Sequence, residues 1–250
     1  IEVISLYGNQ NKPSPVDLEN IDVILFDIQD IGVRFYTYIS TMTLVMESAA
    51  QNKVDFIILD RPNPSSILGI RGPKLSKRFQ SYVGMHQIPI IYDLTMGELA
   101  RLIIGENWIE NADDINIDIM KVLNWERGDR FELKLPPSPN ILNTETALIY
   151  PGMCFLEGTN ISEGRGTQWP FMVFGSPWMD SKAILDELKS DQSIKGLDFR
   201  EINFTPISSV NSQYPKYSNQ QCNGIQILIE NIEIINPINF GIKILNYIKK

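Results

Sequence analysis

Asp22-Val-Ile-Leu-Phe-Asp27 and Val54-Asp-Phe-Ile-Ile-Leu-Asp60 are two short runs, nearly continuous in Val, Ile, Leu and Phe, and each ends on an acid. That is the pattern of buried parallel strands; a half-exposed hairpin strand would alternate instead. Between them, residues 35–52 carry Tyr38, Met42, Val45, Met46 and Ala49 at helical spacing, so strand, helix and strand follow in order. A second helix is expected from Thr95, where Thr95-Met-Gly-Glu98 has capping-box spacing and Leu99, Leu102 and Ile103 supply an apolar stripe. Ile115 to Met120 alternates like another strand, and Glu2-Val-Ile-Ser-Leu-Tyr7 is also strand-like. These elements predict an α/β layer domain with a mainly parallel sheet over residues 1–175.

The pattern changes after two Pro-rich loops, 135–139 and 169–178. Asp180 reads as a helix cap, followed by a helix over 181–189, extended segments near Phe199 and over 225–230, and a final helix over 240–250. A smaller α+β domain is therefore expected over residues 176–250.

Composition narrows the chemistry. Hydrophobic residues make up 43% and charged residues 21%, as in ordinary globular proteins. With 22 basic residues against 30 acids the net charge is -8, which argues against a broad surface for nucleic acid. A single histidine, His86, excludes multi-histidine zinc sites and makes a Ser-His-Asp arrangement depend on one residue, which reads as a loop or surface position near Pro89. The two cysteines, Cys154 and Cys222, read as buried thiols, with a disulfide between them as the alternative. No apolar stretch approaches the roughly 20 residues that span a bilayer, so no membrane span is expected. The chain opens without Met and closes without a tail, so it reads as a fragment, and no signal for oligomeric state is apparent.

In open α/β sheets ligands bind beyond the carboxyl ends of the strands. After the first strand, Asp27-Ile-Gln-Asp-Ile-Gly-Val-Arg-Phe-Tyr-Thr-Tyr38 gathers Asp30, Arg34 and Tyr36; the structural alternative is that Asp30 caps the next helix and pairs with Arg34. After the second, Leu59-Asp-Arg-Pro-Asn-Pro64 displays Asp60, Arg61 and Asn63 on a stiff loop, or forms a turn with an internal Asp60–Arg61 contact. Pro136-Pro-Ser-Pro-Asn140 is a third rigid segment, ending in an amide. The densest constellation is Tyr150-Pro-Gly-Met-Cys-Phe-Leu-Glu157-Gly-Thr-Asn160 with Ser162-Glu-Gly-Arg165-Gly-Thr-Gln-Trp-Pro-Phe171, which reads as a functional loop holding Glu157, Asn160, Glu163 and Arg165.

Gly158, Gly164 and Gly166 match neither GxGxxG nor a Walker loop, so a nucleotide cofactor rests on fold analogy alone. Carboxylates are then the natural acid-base groups, and glycoside cleavage is a reaction that needs little else. Trp169, Trp178, Tyr36 and Tyr38 could offer apolar faces to a sugar, or could simply pack their loops. Glu98 fits a capping acid.

The ordered set DIQDIGVRFYTYIST, LDRPNP, VGMHQIPI, TMGELA, PPSPN, YPGMCFLEGTNISEGRGT and PF resembles the DUF1343, or NamZ, family of exo-β-N-acetylmuramidases, from about Ser5 to Trp178 and more weakly through Gln226. The resemblance implies a Rossmann-like domain, a smaller C-terminal domain and an active site in the cleft between them. It implies release of N-acetylmuramic acid from non-reducing ends of peptidoglycan fragments, with no metal or cofactor, in an extracytoplasmic compartment. Carried over, the motif residues are Asp30, Arg34, Tyr36, Asp60, Arg61, Asn63, Asn140, Glu157, Asn160 and Arg165. Glu157 is the first catalytic candidate and Asp30 the second; the others are expected to bind the saccharide. Three departures stand out: an upstream Pro-Glu-His-Gly motif of the family, whose acid is a strong catalytic candidate, is not in this chain; Tyr92-Asp93 stands where many relatives have His-Gly; and the C-terminal end looks short. The alternative reading is a muramyl-sugar-binding protein of the same fold without turnover.

Overall fold

A computed structural model describes residues 3–6, 8 and 10–249. The chain divides into two compact units, the first running to Asp129 and the second beginning at Arg130.

In the first unit, strands β1 (Val23–Phe26), β2 (Asp55–Leu59) and β3 (Ile117–Met120) form a parallel sheet in the order β1-β2-β3. Val23 lies beside Asp55 and Phe56 beside Ile117. Helix α1 (Tyr38–Asn52) crosses from β1 to β2, and α2 (Met96–Gly105) precedes β3. The first helix begins three residues later than its spacing predicts. The backbone just before it is committed elsewhere: Arg34 N donates to Ile90 O and Tyr36 N to Val33 O. The second begins as expected, with both halves of the Thr95–Glu98 capping box present. Ile39, Met42 and Met46 of α1 and Leu99 and Ile103 of α2 pack on Phe56 and Ile58, all fully buried. At roughly 1.5–3 kcal/mol for each large side chain, this layer anchors the sheet.

Only one face of the sheet is covered in that way. Val23 and Leu25 of β1, Leu59 of β2 and Met120 of β3 point to the opposite face, where they are 41%, 60%, 36% and 54% exposed. The expectation of strands buried throughout therefore holds for one face.

The second unit is built on an antiparallel sheet in the order β4-β6-β5, from β4 (Val173–Ser176), β5 (Leu197–Phe204) and β6 (Cys222–Ile229). Helix α3 (Thr144–Met153) packs against α5 (Pro237–Ile248) at glycines: a Cβ on Gly152 would stand 1.8 Å from Pro237 O, and one on Gly241 2.4 Å from Gly152 O. Helix α4 (Ser181–Ser190) is capped by Asp180, as predicted, through Ala183 N.

Several expectations are corrected. The division falls at Asp129/Arg130 instead of near residue 176, because residues 144–175 are bonded into the C-terminal sheet and helices: Ser162 pairs with Gly175, and Lys216 holds the carbonyls of Leu156 and Ile161. Residues 150–158, expected as loop, lie in α3 and the 3-10 turn Cys154–Gly158, and β4 lies inside the stretch expected as a Pro-rich loop. Val3 to Leu6 form no strand, and Glu2 and Tyr7 of that expected strand lie outside the described residues, as does Lys250 of the expected final helix. His86 is buried, stacked on Trp108 with ring centroids 4.8 Å apart and Nε2 2.7 Å from Thr43 Oγ1. Cys154 and Cys222 are free thiols, half-buried and buried. Among the described residues, no helix is long and apolar enough to cross a membrane.

Candidate active site

Each unit holds, by itself, one cluster of the residues singled out from the sequence. In the first unit the cluster forms on the loops after β1 and β2. Asp30 is buried and accepts hydrogen bonds from Gly32 N, at 2.6 Å, and from the Tyr92 hydroxyl. Burial pushes its carboxyl up to about 6, against the lowering effect of those donors. Asp30 neither caps α1 nor pairs with Arg34. Asn63 is equally enclosed: its Oδ1 accepts from Ser65 N at 2.8 Å, and its Nδ2 donates to the carbonyls of Tyr92 and Leu94, both at 3.0 Å. The two residues meet at Gly32, whose φ is +75°. A Cβ there would stand 2.2 Å from Asn63 Oδ1, so only glycine allows the contact.

Asp60 accepts from Thr95 Oγ1 at 2.6 Å and Gly97 N at 2.9 Å, fastening the end of β2 to the start of α2. Its neighbour Arg61 turns outward and pairs with Asp27, Nη2 to Oδ1 2.5 Å, on an exposed surface. A cavity of about 270 Å³ opens beside this strand end, lined by Asp60, Glu98, Arg101, Lys121 and Trp125 among others. Arg34 is a strut: its Nη1 donates to Ile88 O at 2.6 Å and Pro73 O at 2.9 Å, and the side chain is buried. Tyr36 is buried edge-on against Tyr38, centroids 4.9 Å apart.

The second cluster is charged and reaches solvent. Glu157 stands on the 3-10 turn that prolongs α3, and its Oε1 is 2.6 Å from Arg165 Nη2. Arg165 also lies 3.7 Å from Glu163 Oε1, with its guanidinium carbon 5.3 Å from the Phe171 ring centroid. Glu163 is buried and pairs with Lys216 at 3.0 Å, so two acids and two cations alternate in one neutral group. Partial burial raises the Glu157 carboxyl above its ordinary value, and Arg165 opposes that rise without cancelling it. The Cys154 thiol, 3.7 Å from Glu157, is pushed up to about 12 by burial, which favours the protonated thiol. Asn160 is exposed, and its carbonyl accepts from Tyr217 Oη at 2.5 Å. Asn140 stands apart from these residues, with Nδ2 3.3 Å from Asn211 O.

The structure thus joins Asp30 with Asn63 and Glu157 with Arg165, while Asp60 meets only the backbone N–H of Arg61, whose side chain goes to Asp27. It assigns Arg34, Tyr36 and Asn140 to separate local contacts. Sequence reasoning missed Lys216 and Tyr217, which lie in Tyr214-Pro-Lys-Tyr217, a segment with no periodicity to mark it. Tyr92 was visible only as a departure from the family pattern. Among the described residues no three His, Cys, Asp or Glu side chains are grouped as metal ligands would be.

The models for the N-terminal and C-terminal parts of exo-β-N-acetylmuramidase NamZ match residues 1–145 and 148–250. The peptidoglycan β-N-acetylmuramidase NamZ of Bacillus subtilis (strain 168) is 39% identical over 252 positions, covering 99% of this chain and 58% of that protein. Crystal structures of two DUF1343 family proteins from Bacteroides fragilis NCTC 9343 share the fold. One has a TM-score of 0.87 at 32% identity, covering 98% of this chain and 62% of that one. The other has a TM-score of 0.74 at 34% identity, covering 86% and 55%. The chain therefore spans about three fifths of the length of these relatives.

Proposed function

The chain belongs to the NamZ family of exo-β-N-acetylmuramidases, and from that premise we propose that it releases N-acetylmuramic acid from the non-reducing ends of peptidoglycan fragments, in an extracytoplasmic compartment. The observation that carries this reading is Glu157, a carboxyl group reached by solvent, held by Arg165 at 2.6 Å and raised in pKa by partial burial. A carboxyl raised above its ordinary value lies closer to the range in which general acid catalysis of glycoside cleavage works. In the proposed step Glu157 protonates the leaving oxygen as the C1–O bond breaks. Water supplies the new hydroxyl at C1, and the proton that water loses returns to carboxylate.

The lactyl carboxylate of the substrate is assigned to Arg165, whose guanidinium lies near the surface in the same unit as Glu157; a planar fork matches a carboxylate in two hydrogen bonds. Arg34 is occupied by two carbonyls and is left out of that role. Asp30, closed in by Tyr92 and Gly32, is proposed to hold the strand-end loop in place instead of touching the sugar.

The test is release of N-acetylmuramic acid from a chromogenic muramide by the full-length protein. Glu157→Gln should lower kcat by about 100-fold or more while the melting temperature is kept. A near wild-type kcat would remove Glu157 from the mechanism. Binding of N-acetylmuramic acid without turnover by the full-length protein would make it a sugar-binding protein instead.

A further inference from the structure

Trp178 is 56% exposed. Its ring is nevertheless fixed. The indole Nε1 donates to Tyr217 Oη at 3.2 Å, and that hydroxyl donates to Asn160 O at 2.5 Å, so the ring is tied to the segment carrying Glu157, three residues before Asn160. Tyr217 holds this place with φ of +56°, a left-handed conformation that costs a bulky residue free energy and persists only where its surroundings impose it. Its neighbour Lys216 is fastened to the same segment, through the carbonyls of Leu156 and Ile161 and the carboxylate of Glu163.

We propose that Trp178, held by Tyr217, is the platform for the pyranose ring on the leaving side of the bond that Glu157 protonates. The chemistry of the surface fits such a ring. A flat apolar face takes the C–H face of a sugar, and the exposed Asn160 amide, with donors and an acceptor, suits its hydroxyl or N-acetyl groups. An aromatic residue whose polar atom is already satisfied loses little freedom on binding. The platform sets preference for what leaves and takes no part in proton transfer.

This inference rests on the proposed muramidase activity, so the experiment separates the two. KM and kcat are measured on the full-length protein for a disaccharide with N-acetylmuramic acid at its non-reducing end and for methyl N-acetylmuramide, which has no second ring. Trp178→Ala should raise KM for the disaccharide about tenfold, with kcat and the methyl glycoside KM changed less than about twofold. Trp178→Phe should recover part of the loss, and Tyr217→Phe, which frees the indole, should show a smaller rise of the same kind. An unchanged disaccharide KM, or equal rises for both substrates, would overturn the platform. If the wild-type protein turns over neither substrate, the muramidase reading fails and calorimetry with the same disaccharide decides: binding lost in Trp178→Ala supports the platform, and binding that is absent, or unchanged in the variant, overturns it.

Discussion

The hydroxyl of Tyr92 donates to the buried carboxylate of Asp30, whose pKa is raised from the ordinary 3.8 to about 6. Because the folded value lies above the unfolded one, the folded state binds the proton more tightly. The contribution of this group is most favourable below about pH 4, declines as pH rises to about 6, and is constant above that. Asp30→Asn should remove this decline. Urea unfolding between pH 4 and 7 should show the variant gaining on the wild type, as pH rises, by on the order of 2–3 kcal/mol.

His86 has the opposite sign. Burial depresses its pKa from the ordinary 6.5 to about 4, so folding favours the neutral ring. Its stabilisation is fully present above pH 6.5 and is lost as pH falls from there toward 4, on the order of 3 kcal/mol. In the same unfolding series, His86→Gln should lose less stability on acidification than the wild type, whatever its starting value. The two groups oppose each other between pH 4 and 6, so the pH slopes of the single variants should diverge to either side of the parent.

Gly152 and Gly158 provide a matched pair in neighbouring turns. A methyl group at Gly152 meets the Pro237 carbonyl oxygen, a backbone atom, at 1.8 Å, whereas at Gly158 nothing lies within 4 Å. Gly152→Ala should cost about 2–3 kcal/mol or more by forcing α3 from α5, and Gly158→Ala should change stability by less than about 0.5 kcal/mol. Thermal melts of the two variants check this directly.

Among the described residues, Lys216→Met leaves the buried Glu163 carboxylate with the longer 3.7 Å contact to Arg165 as its remaining ion pair. Breaking one side of such a pair should cost about 3 kcal/mol. Adding Glu163→Gln to Lys216→Met should recover a large part of the loss, because the uncompensated charge goes with it. Additive losses in the double-mutant cycle would show that the pairing is not the source.

Much of the first unit was legible because its signals are local and periodic. The runs ending in Asp27 and Asp60, the stripe of α1 and the Thr95–Glu98 box each act within a few residues, and each appears in the structure. Helix α3 was hidden for physical reasons: it is buried almost all round, so it has no polar face, and Pro151 and Gly152 read as breakers. Pro151 sits near its end, and Gly152 is needed for the approach of α5. The candidate site divides the same way. Glu157 with Arg165, eight positions apart, could be read from sequence. Tyr92 with Asp30, or Lys216 with Glu163, could not, since 62 and 53 positions separate the partners. Asp30 and Asn63 attracted notice by their chemistry, and the structure shows that chemistry directed at the backbone that shapes the loops.

The uncovered sheet face has a practical consequence. Val23, Leu25 and Met120 leave apolar surface exposed on that face, and among the described residues β1 is the outer strand of its sheet, a position whose outward amide and carbonyl groups can template pairing with another chain. A preparation of this 250-residue polypeptide should therefore be colloidally fragile, scattering light as its concentration rises. Leu25→Lys would blunt both the apolar surface and the outer edge.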